Sequence, residues 1–243
     1  MKSATKATAV DAEGKEYDIT HILGANSLYN VVKLETNNPK ANTMPLASTA
    51  SKENDLVYIM PICSNDKKAV CIIDTIKQVQ EFGDDKQHAY YSLSSPLESR
   101  YSGCPVFNAN GEILGHVQMP AGDNTKPAFV MSTTYGNSLS INVLDINNND
   151  LKNIYIAKAL PTEESQATSY ILLVNRQDKT AYMQILNEFV TKFPNNHIGY
   201  TQLAEALVGD KKYKEAEEVY AKALQMNTGH DDEIHHSFAT QLY

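Results

Sequence analysis

At 243 residues, 42% apolar and 21% charged, the chain has the balance of an ordinary globular protein and the length for one large domain or two modest ones. A net charge of −8 with no basic stripe excludes a general nucleic-acid binder. No apolar run reaches membrane-spanning length and no secretory pattern opens the chain, so no membrane partner is expected.

Ala9-Val10 leads into the turn Asp11-Ala12-Glu13-Gly14, and Lys15 to Ile19 then alternate like a half-buried strand. After the loop Gly24 to Ser27, Leu28 to Leu34 form a second strand. Leu56 to Met60 make another. Ala69 to Val79 are β-branched and partly alternating, which predicts a long strand. Gly83 to Lys86 form a turn before the strand His88 to Leu93. Next comes a compact pattern, Ser102-Gly103-Cys104-Pro105, a short strand to Phe107, a turn at Asn108 to Gly111, and a second strand to Gly115. In Asn110-Gly111 both central turn positions are expected at φ > 0. A serine on a tight bend before a buried strand is where a nucleophilic hydroxyl can stand exposed on a rigid base. Ala128 to Thr133 supply a last strand. Closely spaced strands joined by turn chemistry predict a barrel or sandwich.

The segment around Ser102 resembles the G-N-S-G-G-P-V/L-x-N-x-x-G-x-x-x-G stretch of trypsin-like serine proteases, most closely the bacterial Deg-type branch. The first strands resemble that family's first barrel, and Leu56 to Met60 the strand opening its second. The resemblance covers residues 2–134 and implies a partial trypsin-like antiparallel β-barrel domain over residues 1–137, its first barrel incomplete. It implies Ser102 as the nucleophile and places Asn30 where the family has the aspartate that orients the histidine. An amide there carries no charge to stabilise an imidazolium; Asn30 can also be read as a polar residue starting a strand. The catalytic histidine of the family would precede Gly14 by more residues than the chain has. The expectation is a truncated product without peptidase activity, serine-endopeptidase-like in ancestry. Arg100, Tyr101 and Gln118 fall where the family surrounds the oxyanion and the substrate. Arg100 replaces a glycine whose N–H faces the oxyanion, so it either binds a substrate carboxylate or is a solvated loop arginine. Gln118 and Met119 fall where the specificity pocket is lined, hinting at a medium-sized apolar substrate side chain. The family also implies a place outside the cytoplasm, periplasmic or secreted.

Beyond Ser138 the pattern turns helical. Leu139 to Ala157 suit an amphipathic segment interrupted at Asn147-Asn148-Asn149, and Ile154 to Leu160 run to Pro161, a natural stop. Thr162-Glu163-Glu164-Ser165 reads as a hydroxyl-capped helix start. Residues 138–177 are thus a helical connector. From Tyr200 the positions Tyr200, Leu203, Ala204, Leu207, Ala216, Tyr220 and Ala223 resemble the tetratricopeptide repeat, whose period is about 34 residues. That resemblance covers residues 178–243 and gives a multidomain β + α organisation. It implies protein or peptide partners along a helical array, with an apolar end at Tyr243 that would pair two copies. The competing picture is an ordinary helical hairpin, and the competing function is a catalytically dead scaffold.

Cys63, Cys71 and Cys104 are too few for a disulfide framework and lack zinc spacing; Cys63 and Cys71 either pair or are small buried residues. None of the seven histidines has metal spacing: His235-His236 diverge on any helix or strand, and His116 reads as a hydrogen-bonded core residue. Neither metal nor cofactor is expected.

Overall fold

Period-two alternation sets the architecture of the first half. The computed structural model describes residues 4–11, 13–38, 43–61, 71–83, 86, 88–120, 126–152, 154–226 and 229–242. Two units divide the chain: Ala7–Thr20 with Gly24–Leu139, and Met1–Lys6 with His21–Leu23 and Ser140–Tyr243.

β1 (Thr8–Val10), β2 (Glu16–Asn26) and β3 (Val31–Thr36) form a three-stranded sheet in that order, in the first unit except for His21–Leu23 of β2. Six further strands close into an antiparallel barrel: β4 (Leu56–Ile59), β5 (Ile72–Phe82), β6 (His88–Leu93), β7 (Pro105–Phe107), β8 (Ile113–Gln118) and β9 (Phe129–Ser132), in the order β4-β5-β6-β9-β8-β7. Closure removes the exposed strand edges that an open sheet would leave. Alternate residues point inward, and Val57, Ile59, Ala89, Tyr91, Leu93, Val106, Val117 and Val130 are almost fully buried as its core. The strand expected at Ala69 to Val79 is β5, running on to Phe82; residues 69 and 70, like Cys63, lie outside the described residues. Cys71 is exposed and Cys104 buried, both as free thiols. A short helix, α1 (Thr133–Ser138), follows β9.

The second unit departs from expectation at its start. Val143–Asn147 is a 3-10 turn, capped reciprocally by the Asn142 and Asp145 side chains, and α2 (Asn149–Lys152) is a single turn. Ile154 to Leu160 are not helical. The Ile22 N–H donates to Ala157 O at 2.8 Å and the Ala159 N–H to Ile22 O at 2.9 Å, an isolated parallel bridge. The cause is visible in burial: Ile154 and Ile156 are buried, while Tyr155 between them is 68% exposed. That is the period of a strand, formed by β-branched and aromatic residues that favour extended backbone. Four longer helices and a shorter one follow: α3 (Glu164–Leu173), α4 (Lys179–Lys192), α5 (His197–Gly209), α6 (Tyr213–Gln225) and α7 (Asp231–Leu242). The hydroxyl cap expected at Thr162 is not formed; Glu163 occupies the N-cap without a side-chain bond.

Real caps sit further on. The Asp178 Oδ1 accepts the Ala181 N–H at 3.0 Å. The Asn196 Oδ1 accepts the Gly199 N–H at 3.3 Å, and its Nδ2 donates to Glu164 Oε1 at 2.8 Å and Thr168 Oγ1 at 3.1 Å. One side chain therefore caps α5 and ties it to α3. Each helix buries one stripe: Tyr182, Leu186 and Phe189 on α4; Leu203, Ala204 and Leu207 on α5; Ala216, Tyr220 and Ala223 on α6; Ile234 on α7. The three alanines have no exposed surface, so the helix axes approach closely at those points. Among the described residues no helix is long and apolar enough to cross a membrane.

Candidate active site

The β7–β8 hairpin is built by a bend, a proline and a polar turn. Ser99–Tyr101 is a 3-10 turn that ends at Ser102. Gly103 then reverses the chain at φ +79°, which L side chains seldom adopt, and its N–H donates to Val117 O at 2.8 Å. The Val117 N–H returns a bond to Cys104 O at 2.9 Å, so the bend is fastened to β8 from both sides. At the far end, Asn108 Oδ1 accepts the N–H groups of Asn110 and Glu112, each at 3.0 Å. Only Gly111 has positive φ there, not Asn110. The turn is therefore a longer loop held by an Asn108 side chain, with a register shift between Val106 and Phe107, rather than the two-residue form the Asn-Gly pair suggested.

Ser102 stands exposed on this bend, and among the described residues its Oγ has no hydrogen-bond partner. Its N–H donates to Ser99 O at 3.1 Å inside the 3-10 turn. Acyl transfer at a serine needs a base to take the hydroxyl proton and backbone N–H groups aimed at the developing oxyanion. Here that N–H is already spent. The Arg100 guanidinium is paired with Glu98 at 3.1 Å and lies 4.9 Å from the Tyr101 ring centre. The Glu98 carboxylate holds Arg100 firmly charged, raising its pKa. The Tyr101 ring packs in turn against the barrel core.

Gln118 and Asn30 meet at a different point. Asn30 closes the turn between β2 and β3 at φ +49°, exposed, its N–H donating to Ser27 O at 3.2 Å. Asparagine tolerates this left-handed conformation better than most residues, which explains its presence locally. Its neighbour Tyr29 inserts among Phe82, Tyr90 and Tyr135, with ring centres 5.1–6.3 Å away. Gln118 accepts from the Tyr90 hydroxyl at 3.1 Å and donates to the Tyr29 carbonyl. Both ends of its amide are engaged. The Gln118 Nε2 also lies 3.4 Å from His116 Nε2, a contact that needs His116 to accept and so to carry its proton on Nδ1. The structure thus links Gln118 to the Asn30 turn, and Arg100 to Tyr101, but ties none of them to the Ser102 hydroxyl. Tyr29 is the member of this cluster that sequence reasoning passed over; His116, read there as a hydrogen-bonded core residue, is half-buried beside Gln118.

Burial lowers the His116 pKa. An unfolded histidine titrates near about 6.5, so between that value and the lower folded one the unfolded chain binds more protons. The contribution of neutral His116 to stability is present above about pH 6.5 and lost as pH falls through the window below it. The expected result is a barrel that weakens on acidification, less steeply once His116 is replaced by Gln. An imidazole resonance for His116 titrating at or above the free value would contradict this.

No protein-family model matches the chain, and no curated protein sequence does. Among solved structures, the active form of the Rv3671c protease from M. tuberculosis aligns with a TM-score of 0.42 and 17% identity over 61% of this chain and 62% of that one. The HtrA-type protease AlgW with decapeptide aligns at 0.42 and 13%, over 54% and 42% of the two chains. A serine endoprotease from Yersinia pestis gives 0.42 and 13%, over 58% and 47%. The chain spans less than two thirds of the length of each. At such scores these neighbours transfer no residue role and no substrate.

Proposed function

We propose that this chain is a serine-endopeptidase-like barrel held in a catalytically silent state, joined to a tetratricopeptide-like helical array that binds protein or peptide segments. The observation that carries the first half is Ser102, exposed on a glycine bend at the head of β7 in a closed six-stranded barrel. Silence follows from the same bend. Its oxyanion donor is tied to Ser99 O, and no described base touches its hydroxyl, so an attacking serine would be unactivated and its tetrahedral product unsupported. Asn30, in the position of the orienting acid, would supply no charge.

Support for the helical half is the buried small residues at Ala204, Ala216 and Ala223, with Tyr220 filling the space between α6 and α7 beside Phe238 at 4.6 Å. A cavity of about 270 Å³ in the same unit is lined by polar groups of Arg176, Lys179, Gln202 and Glu205 together with Tyr182 and Met183. Charged groups and one amide beside a tyrosine ring and a methionine suit an extended peptide with both polar and apolar side chains. The competing function, a scaffold that never hydrolyses peptides, is favoured by the same Ser102–Ser99 bond.

Fluorophosphonate labelling of the folded chain, with Ser102→Ala as control, tests the silent state. No labelling above the control is the expected result. Stoichiometric labelling that Ser102→Ala abolishes would mean a base reaches Ser102 and would overturn the silent state.

A further inference from the structure

We propose that His197, His230 and Glu233 bind one divalent transition-metal ion of borderline softness, such as zinc, which clamps the start of α7 to the start of α5. One nitrogen from each imidazole and one carboxylate oxygen lie within 4.8 Å of one another. The two rings are stacked with centres 4.6 Å apart and planes 15° apart. The His230 Nδ1 is 3.3 Å from Glu233 Oε2, a pair made where the chain enters α7.

Two imidazoles and a carboxylate are a donor set suited to zinc and its neighbours. Metal–ligand bonds of roughly 2.0–2.2 Å put tetrahedral donors about 3.3 Å apart. The three groups must therefore draw together by about 1.5 Å at most, a shift within side-chain rotation. His230 and Glu233 are exposed and His197 half-buried, so they are free to make it. A fourth position is left for water. Asp231 and Asp232 in the first turn of α7 add negative charge around an incoming cation.

The two histidines are 33 residues apart in sequence, beyond any local ligand spacing. That separation is close to one repeat, about 34 residues, so it returns the chain to an equivalent place on the next first helix. His197 opens α5 and His230 directly precedes α7. A metal there would fasten successive helix pairs and stabilise the last helix by mass action.

The test is calorimetric titration of the chelator-stripped full chain with zinc chloride, repeated on variants. A single ion per chain is expected, with affinity reduced at least about tenfold by His197→Ala or by Glu233→Gln, and lost in the His197→Ala/His230→Ala double variant. The His235→Ala/His236→Ala variant should bind as the parent does. Cobalt in place of zinc should give weak d–d bands without the intense thiolate charge-transfer band that Cys63 or Cys71 would produce. Circular dichroism establishes that each variant stays helical. Three results would overturn the site: no stoichiometric binding, binding undiminished in the double variant, or a thiolate band.

Discussion

Gly115→Ala is expected to open the barrel. A Cβ at this position would stand 2.1 Å from Met131 O, 2.6 Å from Val130 Cγ1 and 2.9 Å from Met131 C. Two of those three atoms belong to the β9 backbone, so no change of rotamer relieves the contact. The strands themselves must separate where Gly115 pairs with Ser132, and the pairs His116–Met131, Val117–Val130 and Gln118–Phe129 follow in the same ladder. Extra volume in a well-packed interior costs about 1–3 kcal/mol when side chains can shift. Here main chain must shift instead, and a loss of about 3 kcal/mol or more is expected, a large part of a domain stability of about 5–15 kcal/mol. The Ser102 bend goes with it, because Gly103 is fastened to Val117 on β8. Hydrogen exchange read by mass spectrometry is the suitable probe, since it reports the two units separately. Protection should fall in β8, β9 and the segment 102–107 while α4 to α6 keep theirs. Unchanged protection in β8 and β9 would show that the strands have room at Gly115 after all.

Much of the barrel was legible because its signal is local. From Ala89 to Leu93 buried and partly exposed residues alternate, and β6 has the limits expected of it. The Ser102-Gly103-x-Pro105 bend was legible because glycine alone readily takes the positive φ of such a bend and proline fixes its own φ at the strand's start. Ile154 to Leu160 misled for the opposite reason. Ala157, Lys158 and Ala159 are good helix formers, and the period of Ile154-Tyr155-Ile156 is too short to outweigh them without knowing that Ile22 offers a strand edge. Ser102's place could be read, but the engagement of its N–H could not. That depends on whether residues 99–101 close a 3-10 turn, a matter of a few dihedral angles that no residue type there dictates. Gln118 is similar: its position on β8 followed from strand period, whereas its bonds to Tyr90 and Tyr29 come from segments distant in sequence. The stacking of His197 on His230 escaped because sequence patterns are read over a few residues, and this pair is brought together by the packing of whole helices.

Gly199→Ala sets two effects of opposite sign against each other. Alanine gains at most about 1 kcal/mol over glycine as a helix residue, less in a first turn, and Gly199 is the third residue of α5. Against that, the new Cβ would lie 2.3 Å and 2.4 Å from Cδ1 and Cε1 of Phe189, with Val190 Cγ1 at 3.4 Å. Phe189 is wholly buried and packs on Phe193 at 5.1 Å between ring centres, so its ring has nowhere to swing. Overpacking of about 1–3 kcal/mol exceeds the propensity gain, and a net loss of about 1–2 kcal/mol is expected in the helical unit. A double-variant cycle isolates the cause. Phe189→Leu alone leaves a void and destabilises, but it removes the ring edge that the new methyl meets. In that background Gly199→Ala should become neutral or stabilising, so the coupling term is favourable and as large as the clash. Thermal melts followed at 222 nm supply all four corners. If Gly199→Ala raises the melting temperature by itself, or the coupling is near zero, then α4 and α5 can move apart without cost. The close approach of the helices would then no longer explain why small residues occupy this face.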